Sequence, residues 1–278
     1  MPVIQVGLID KTGFDAHLLQ DTADALNVQV MRDLPQYWNV QATVRYIPDT
    51  NRIPVGTWPI YLVPKLPPGE GGVHLDKHNQ PYSLVIGTPG DNSWTIDASH
   101  ETIEMLVDPA GNRLQASRAI EIADKGVRDT PGEFQYLVEA CDPCEANQYA
   151  YSINGISVSD FIRPHFYDPV ATSAVRYSFC GHITEPRQLL PGGYISFVDP
   201  QADELKQILW LGETPVERTL GQANGLSLRT FVDGRTAELV ANVRKTNPRL
   251  AAWNQAHRNR LEAVAKARAA AAASGQGD

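Results

Sequence analysis

Residues 94–109 read WTIDASHETIEMLVDP, and this stretch decides how the rest of the chain is interpreted. It predicts a helix that carries His100, Glu101 and Glu104 in the pattern H-E-x-x-E. Residues four apart lie on one face of a helix, so His100 and Glu104 are expected to face the same point. Glu101 follows His100 and is expected to lie slightly further round that face.

This pattern differs by one residue from H-E-x-x-H, the zinc-binding helix of metallopeptidases. The comparison predicts His100 and Glu104 as metal ligands and Glu101 as the general base that activates water. Carboxylate oxygen binds zinc, so Glu104 keeps a ligand at this position while adding negative charge. The alternative is a polar helix start, in which early glutamates interact favourably with the helix dipole.

The composition narrows the class of protein. The chain has 278 residues, of which 42% are hydrophobic, which is enough for one large domain or two small ones. A net charge of -8 argues against nucleic acid as the main partner and gives no attraction to anionic lipid. No apolar run approaches the roughly 20 residues of a membrane span. The first ten residues resemble a strand and not a signal peptide, so we expect a cytoplasmic location by default, with release by a non-classical route left open.

The periodicity of apolar residues predicts an α+β fold whose first half alternates helices and strands. The helix of residues 94–109 is expected to begin at an N-cap, Asp97 or Ser99, and to end at Asp108. The other predicted elements of this half are a strand over 1–10, a helix over 14–34, and strands over 38–47, 58–63 and 82–87.

The second half is predicted to be rich in short strands, and Asn154-Gly155 is typical of a two-residue hairpin turn. The predicted strands cover 134–140, 149–153, 156–161, 175–179 and 194–198. Residues 237–273 predict a C-terminal helix, followed by a disordered tail. We therefore divide the chain into 1–120, 121–236 and 237–278, with a metal cleft between the first two parts.

Four segments resemble a family of zincin-like bacterial proteins that carry a SHELLEMLADP-like stretch. They are residues 94–109, 138–145 (VEACDPCE), 158–161 (VSDF) and 191–195 (PGGYI). The resemblance covers roughly residues 60–200 and implies a zincin-like N-terminal α/β half that carries the metal-binding helix. Two features depart from true zincins. Glu104 replaces the second histidine, and the metzincin continuation would fall on Val107 and Ala110, which do not fit it.

A catalytic zinc needs a third protein ligand besides His100 and Glu104. Asp142, placed before a proline at a predicted turn, is the preferred candidate, and Glu139 is the next. Asp108 is closer in sequence but reaches His100 only if the chain folds back, and it also fits an ordinary turn residue.

Several other residues have proposed roles around the expected metal. His74 is a candidate for stabilising an oxyanion or for acting as a ligand, and Tyr151 and Tyr167 are candidate oxyanion donors. Cys141 and Cys144 form a C-x-x-C pair without partners at zinc-finger spacing, which favours buried thiols without a role.

Two functions of different classes follow from these observations. The leading hypothesis is a zinc-dependent metallohydrolase, a peptidase that acts on peptide or protein substrates. The alternative is a catalytically inactive zincin-like structural or binding protein, from a phage or secretion assembly, that holds Ca²⁺ or no metal. In that case Asp108, Asp142 and Glu145 would supply the oxygen ligands. A redox role of Cys141 and Cys144 ranks third.

Overall fold

A computed structural model describes residues 3–66, 71–223 and 225–235 of the chain. The predicted C-terminal helix over 237–273 and the tail that follows it lie outside the described residues. Among the described helices, no segment is long and apolar enough to cross a membrane.

The first sheet is mixed and has five strands in the order β2-β1-β3-β5-β4. Neighbouring strands run parallel except β4, which is antiparallel to β5 at the edge of the sheet. The strands are β1 (Ile4–Asp10), β2 (Ala42–Tyr46), β3 (Thr57–Val63), β4 (Gly72–Lys77) and β5 (Gln80–Ile86). Gly7 is required in β1, because a Cβ there would lie 2.5 Å from Ile47 Cδ1.

Helix α1 (Ala16–Val28) follows the predicted apolar spacing, since Leu19, Ala23 and Leu26 are all buried. Asp15 caps it through bonds from the amides of residues 17 and 18. The prediction extended this helix to residue 34. The chain instead continues from α1 into a π-helical turn over Gln29–Asp33, which carries a fully buried Gln29.

Helix α2 (Trp94–Val107) is buried at every residue except Asp97. The prediction of Asp97 or Ser99 as N-cap was wrong, because the helix begins at Trp94. The Trp94 ring packs against Phe14, with centroids 4.9 Å apart, which anchors the helix start further upstream. The predicted end is confirmed, since Asp108 is the C-cap.

The second sheet is antiparallel, with the order β12-β11-β10-β7-β6. Its strands are β6 (Leu114–Ala123), β7 (Gly126–Leu137), β10 (Tyr194–Asp199), β11 (Glu204–Leu209) and β12 (Val216–Gly221). The short strands β8 (Tyr151–Ile153) and β9 (Ile156–Val158) form a separate hairpin around Asn154-Gly155, as predicted.

Residue 120, where the first predicted part of the chain ends, lies inside β6. One strand predicted in this half does not match the structure. Residues 175–179 do not form a described strand, and Ser178 makes a single bridge to Ile162.

One apolar core joins the two sheets. It includes Leu8 of β1, Leu106 of α2 and Phe197 of β10. The fold is therefore α+β, and α2 lies inside this shared core, where the polar side chains of the helix are shielded from solvent.

Candidate metal centre

Helix α2 is held in one rotational position by a buried hydrogen-bond network on one of its faces. Ser99 Oγ donates to Gln29 Oε1 at 2.7 Å and accepts from the amide of Ser159 at 2.9 Å. The Gln29 side chain also donates to the Ser159 carbonyl at 3.0 Å. Because successive helical residues are about 100° apart, His100, Glu101 and Glu104 share a different face.

Three side chains converge on that face. His100 Nε2 lies 3.1 Å from Glu104 Oε2 and 3.2 Å from Asp142 Oδ1. Asp142 belongs to a 3₁₀ turn, Asp142–Cys144, in the segment after β7. Both of these carboxylate oxygens are buried, and neither has an aligned hydrogen bond to a described residue. Imidazole nitrogen and carboxylate oxygen therefore face one another without the geometry of ordinary hydrogen bonds.

The edge strand β4 closes the centre from another side. His74 Nδ1 lies 3.5 Å from Glu101 Oε2 and 3.7 Å from Glu104 Oε2. Neither ring nitrogen of His74 has a hydrogen-bond partner in the part of the chain that the structure describes. A Cβ on Gly72 would lie 2.6 Å from Glu101 Cγ, so the strand passes directly over the helix only because this residue is glycine.

A buried arginine, Arg229, also enters the cluster. Its Nη1 lies 3.0 Å from Asp142 Oδ2, 3.1 Å from Glu139 Oε2 and 3.5 Å from Glu104 Oε2. It belongs to a helical segment over residues 228–235, and its amide donates to the Gly111 carbonyl at 3.0 Å. The sequence prediction missed Arg229. The available signal was an arginine in an apolar stretch, LRTFV, where an unpaired charge would be costly.

Negative charge exceeds positive charge in this buried cluster. Glu101, Glu104, Glu139 and Asp142 are all at most 4% exposed, and the permanent cation Arg229 contacts the last three of them. Buried carboxylates are costly unless a cation or a proton compensates them. The cluster therefore requires further positive charge, from protons on its own groups or from a bound cation.

The directions of the pKa shifts indicate which groups of the cluster bind protons and so supply positive charge. Burial lowers the pKa of His100, but Glu104, Asp142 and Glu101 more than offset this and hold it well above its usual value. Burial raises the pKa of Glu139 well above its usual value, and the neighbouring carboxylates Glu104 and Asp142 raise it further, against the attraction of Arg229. The raised pKa values of His100 and Glu139 favour their protonated forms, which compensate negative charge that a bound cation could compensate instead.

The buried donor groups could hold a metal ion. Potential ligand atoms lie within 4.8 Å of one another in three groups around α2. These are His100, Glu104 and Cys141; His74, Glu104 and Glu139; and His100, Asp142 and Glu145. Tetrahedral zinc with bonds of about 2.0–2.1 Å separates its ligand atoms by about 3.3 Å. His100 Nε2 lies at about this distance from Glu104 Oε2 (3.1 Å) and from Asp142 Oδ1 (3.2 Å), and Glu104 and Asp142 belong to separate ligand groups that share His100.

Two predicted site residues make their contacts elsewhere. Asp108 Oδ2 accepts the Arg113 amide at 2.7 Å within the turn after α2, and none of the ligand groups found among the described residues contains it. The Tyr151 hydroxyl donates to Asp33 Oδ2 at 2.9 Å and accepts from Gln29 at 3.1 Å. Both residues act in hydrogen-bond networks that organise neighbouring turns.

A small pocket borders the centre. It is lined by Glu139 and Asp142 on one side and by Tyr167 and Tyr194 on the other. Burial raises the pKa of both tyrosines well above the usual value, so their hydroxyls stay protonated and able to donate. Tyr167 was a candidate oxyanion donor in the sequence, and it lies beside Glu139 in this pocket.

Comparisons with known proteins add no relative: no family model, curated protein or solved structure matches the chain.

Proposed function

We propose that the protein is a zinc-dependent hydrolase of the zincin type that acts on peptide bonds. The observation that carries the proposal is the convergence of His100, Glu104 and Asp142, whose facing atoms are 3.1 and 3.2 Å apart. In this proposal the three side chains hold the ion, and Glu139 is the reserve ligand beside them. Zinc would supply Lewis-acid activation of water and of the substrate carbonyl.

Glu101 is proposed as the general base. Its Oε2 is buried, faces His74 at 3.5 Å, and has no hydrogen-bond partner among the described residues, so it is free to accept a proton from water. His74 is proposed to orient this carboxylate and to donate to the oxygen that gains negative charge during the reaction.

The order of the elements supports a zincin type. The elements follow one another as β1, α1, β2, β3, the edge strand β4, the inner strand β5 and the helix α2. The fold packs β4 against α2, and a peptide substrate could extend the edge of the sheet there.

The charge of the ligands affects the expected activity. Two carboxylate ligands donate more charge to zinc than two imidazoles, which makes the ion a weaker Lewis acid. Arg229 counteracts this by drawing charge from Asp142 through its Oδ2 atom, 3.0 Å away. We expect slow hydrolysis with an optimum on the alkaline side of neutrality.

A second function, a catalytically inactive metal-binding scaffold, is favoured by the closure of the centre. His100 is 8% exposed and Glu104 is fully buried, and Arg229 Nη1 lies 3.5 Å from Glu104 Oε2. In this alternative the ion would stabilise the junction between the two sheets and no substrate would reach Glu101.

Metal analysis and two variants test the proposal on the full chain. The purified wild type should hold one equivalent of zinc at this centre, and His100→Ala should lose it. Glu101→Gln should keep the zinc and lose about 10²–10⁴-fold in the hydrolysis of a mixed peptide library. The matched control is Glu121→Gln, which alters an exposed glutamate on β6 and should change neither quantity.

Each other outcome has a definite meaning. Zinc content unaltered by His100→Ala would overturn the proposed ligands. Zinc bound by the wild type without any hydrolysis of the library would reject the hydrolase and leave the scaffold function.

A further inference from the structure

A second group of metal-ligating side chains lies outside the centre on α2. Asp160 Oδ2 is 3.2 Å from His182 Nδ1, and ligand atoms of Asp160, Cys180 and His182 all lie within 4.8 Å of one another. Asp160 follows β9 in the chain, and the other two residues belong to a loop around residue 180. The group therefore joins two segments that are distant in sequence.

The backbone fixes the position of these side chains. Asp160 Oδ1 accepts the amides of Phe161 at 2.8 Å and Cys180 at 2.9 Å, which leaves Oδ2 directed at His182. Ser178 Oγ accepts three successive amides, from residues 181 to 183, at 3.1–3.3 Å. The loop is thus held in one conformation before any ligand binds, which reduces the entropy cost of binding.

The surroundings leave an entry path for an ion. Asp160 is fully buried, whereas the His182 side chain is 41% exposed and packs against Tyr149, with ring centroids 5.2 Å apart. Cys180 is partly exposed and its thiol is free.

An ordinary histidine–aspartate pair elsewhere in the chain provides a contrast. His165 Nδ1 lies 2.6 Å from Asp168 Oδ2, and both side chains are exposed, at 59% and 38%. None of the ligand groups found in the described part of the chain includes this pair. The group at Asp160 differs because its carboxylate is buried and a thiol completes it.

We propose that Asp160, Cys180 and His182 form a second zinc site, which is independent of the proposed hydrolase centre. One oxygen, one sulfur and one nitrogen ligand suit a borderline ion such as Zn²⁺ and do not suit Mg²⁺ or Ca²⁺. Binding requires the thiolate, so the Cys180 proton leaves to solvent when the ion enters. The ion would tie the loop around residue 180 to the segment after β9.

Cobalt is a suitable probe, because a thiolate bound to Co²⁺ gives a charge-transfer absorption in the near ultraviolet. Full-length wild type titrated with Co²⁺ should show this absorption, and Cys180→Ser should remove it together with one equivalent of bound metal. His182→Ala should weaken binding at this site at least tenfold. Circular dichroism and thermal melting of each variant establish that it is folded.

Three controls separate this site from other residues. His165→Ala removes the contrasting pair and should leave the absorption unchanged. Cys141→Ser removes the thiol of the ligand groups around α2, and in this background the absorption should persist; it should also persist in His100→Ala. Absence of the absorption in the wild type at saturating Co²⁺, or its survival in the double variant Cys141→Ser/Cys180→Ser, would overturn the second site without affecting the proposal for His100.

Discussion

Arg187 and Arg229, two buried arginines in the described part of the chain, have opposite surroundings. Arg187 is 1% exposed, and its guanidinium donates to both carboxylate oxygens of Asp129, to Ser117 Oγ and to the Asp168 carbonyl. Each of its three side-chain nitrogens donates to at least one acceptor. A fully hydrogen-bonded network of this kind carries little desolvation penalty. It fixes the loop that contains Arg187 against the second sheet.

Arg229 lies in a network that is incomplete. It contacts Glu104, Glu139 and Asp142, yet four oxygens of these residues, and both ring nitrogens of His74, lack hydrogen-bond partners among the described residues. Buried polar groups in native proteins are nearly always satisfied, so each exception requires an explanation. The comparison indicates that Arg187 serves the fold, whereas the cluster at Arg229 contains buried groups that could hold a metal ion.

The largest expected effect concerns the complete network. Asp129→Ala leaves the buried guanidinium of Arg187 without its carboxylate and should lower the free energy of unfolding by about 3 kcal/mol. Urea denaturation of the metal-free chain measures this loss. Glu121→Ala, which removes an exposed ion pair with Arg128 on the same sheet, should change it by less than about 1 kcal/mol. Equal losses in the two variants would contradict the structural role assigned to Arg187.

Zinc should stabilise only the incomplete network. At a free zinc concentration of 100 times Kd, binding adds about 2.7 kcal/mol to the free energy of unfolding. Asp129→Ala should gain as much stability from zinc as the wild type does, because the substitution is remote from the proposed ligands. His100→Ala should gain no stability from zinc bound at this centre. The measurement is made in a Cys180→Ser background, which removes the proposed second zinc site. Any stabilisation by zinc that remains in this double variant would argue against His100 as a ligand.

The pH dependence of the metal-free chain is the next effect in size. The pKa values of His100, Glu139 and Asp142 are raised, and burial raises that of Asp233 to about 7. A group whose pKa is higher in the folded state than in the unfolded state binds more protons when the chain is folded. The free energy of unfolding therefore falls as the pH rises from the unfolded pKa to the folded pKa. Glu104 has a lowered pKa, and its contribution is already complete above about pH 5.

The melting temperature of the metal-free chain should therefore fall by a few degrees between about pH 5 and pH 8, since about 1 kcal/mol corresponds to about 2–4 °C for a chain of this size. Saturating zinc should reduce that fall, because the ion replaces the protons. A melting temperature that rises over this range without metal would show that the cluster is compensated in another way.

The smallest effect concerns Tyr151. Tyr151→Phe removes a hydrogen bond to Asp33 and should cost about 1 kcal/mol of stability. It should leave zinc affinity and peptide hydrolysis unchanged, because its hydroxyl is engaged with the turn after α1. A loss of hydrolysis of 100-fold or more in a folded variant would restore Tyr151 as a catalytic candidate.

The sequence predicts those features that depend on neighbours along the chain. The spacing of Leu19, Ala23 and Leu26 was sufficient for α1, and Asn154-Gly155 was sufficient for the hairpin. The proximity of His100 and Glu104 follows from helical periodicity alone.

Features that depend on tertiary contacts could not be predicted in the same way. Strand β6 has many exposed polar positions, and its pairing with β7 becomes visible only in the structure. Arg229 reaches the centre from a segment far along the chain, so no local pattern connects it with Asp142. Asp142 itself was named from an acidic cluster before a proline, which indicated a turn but not its distance from His100.

The burial of α2 also has a kinetic consequence for any ion held by His100, Glu104 and Asp142. These residues expose at most 8% of their surface, and Arg229 lies against Glu104 and Asp142. An ion at this depth could escape only when the surrounding chain opens locally. Its residence time would then follow the rate of that local opening and would be largely insensitive to the concentration of an external chelator.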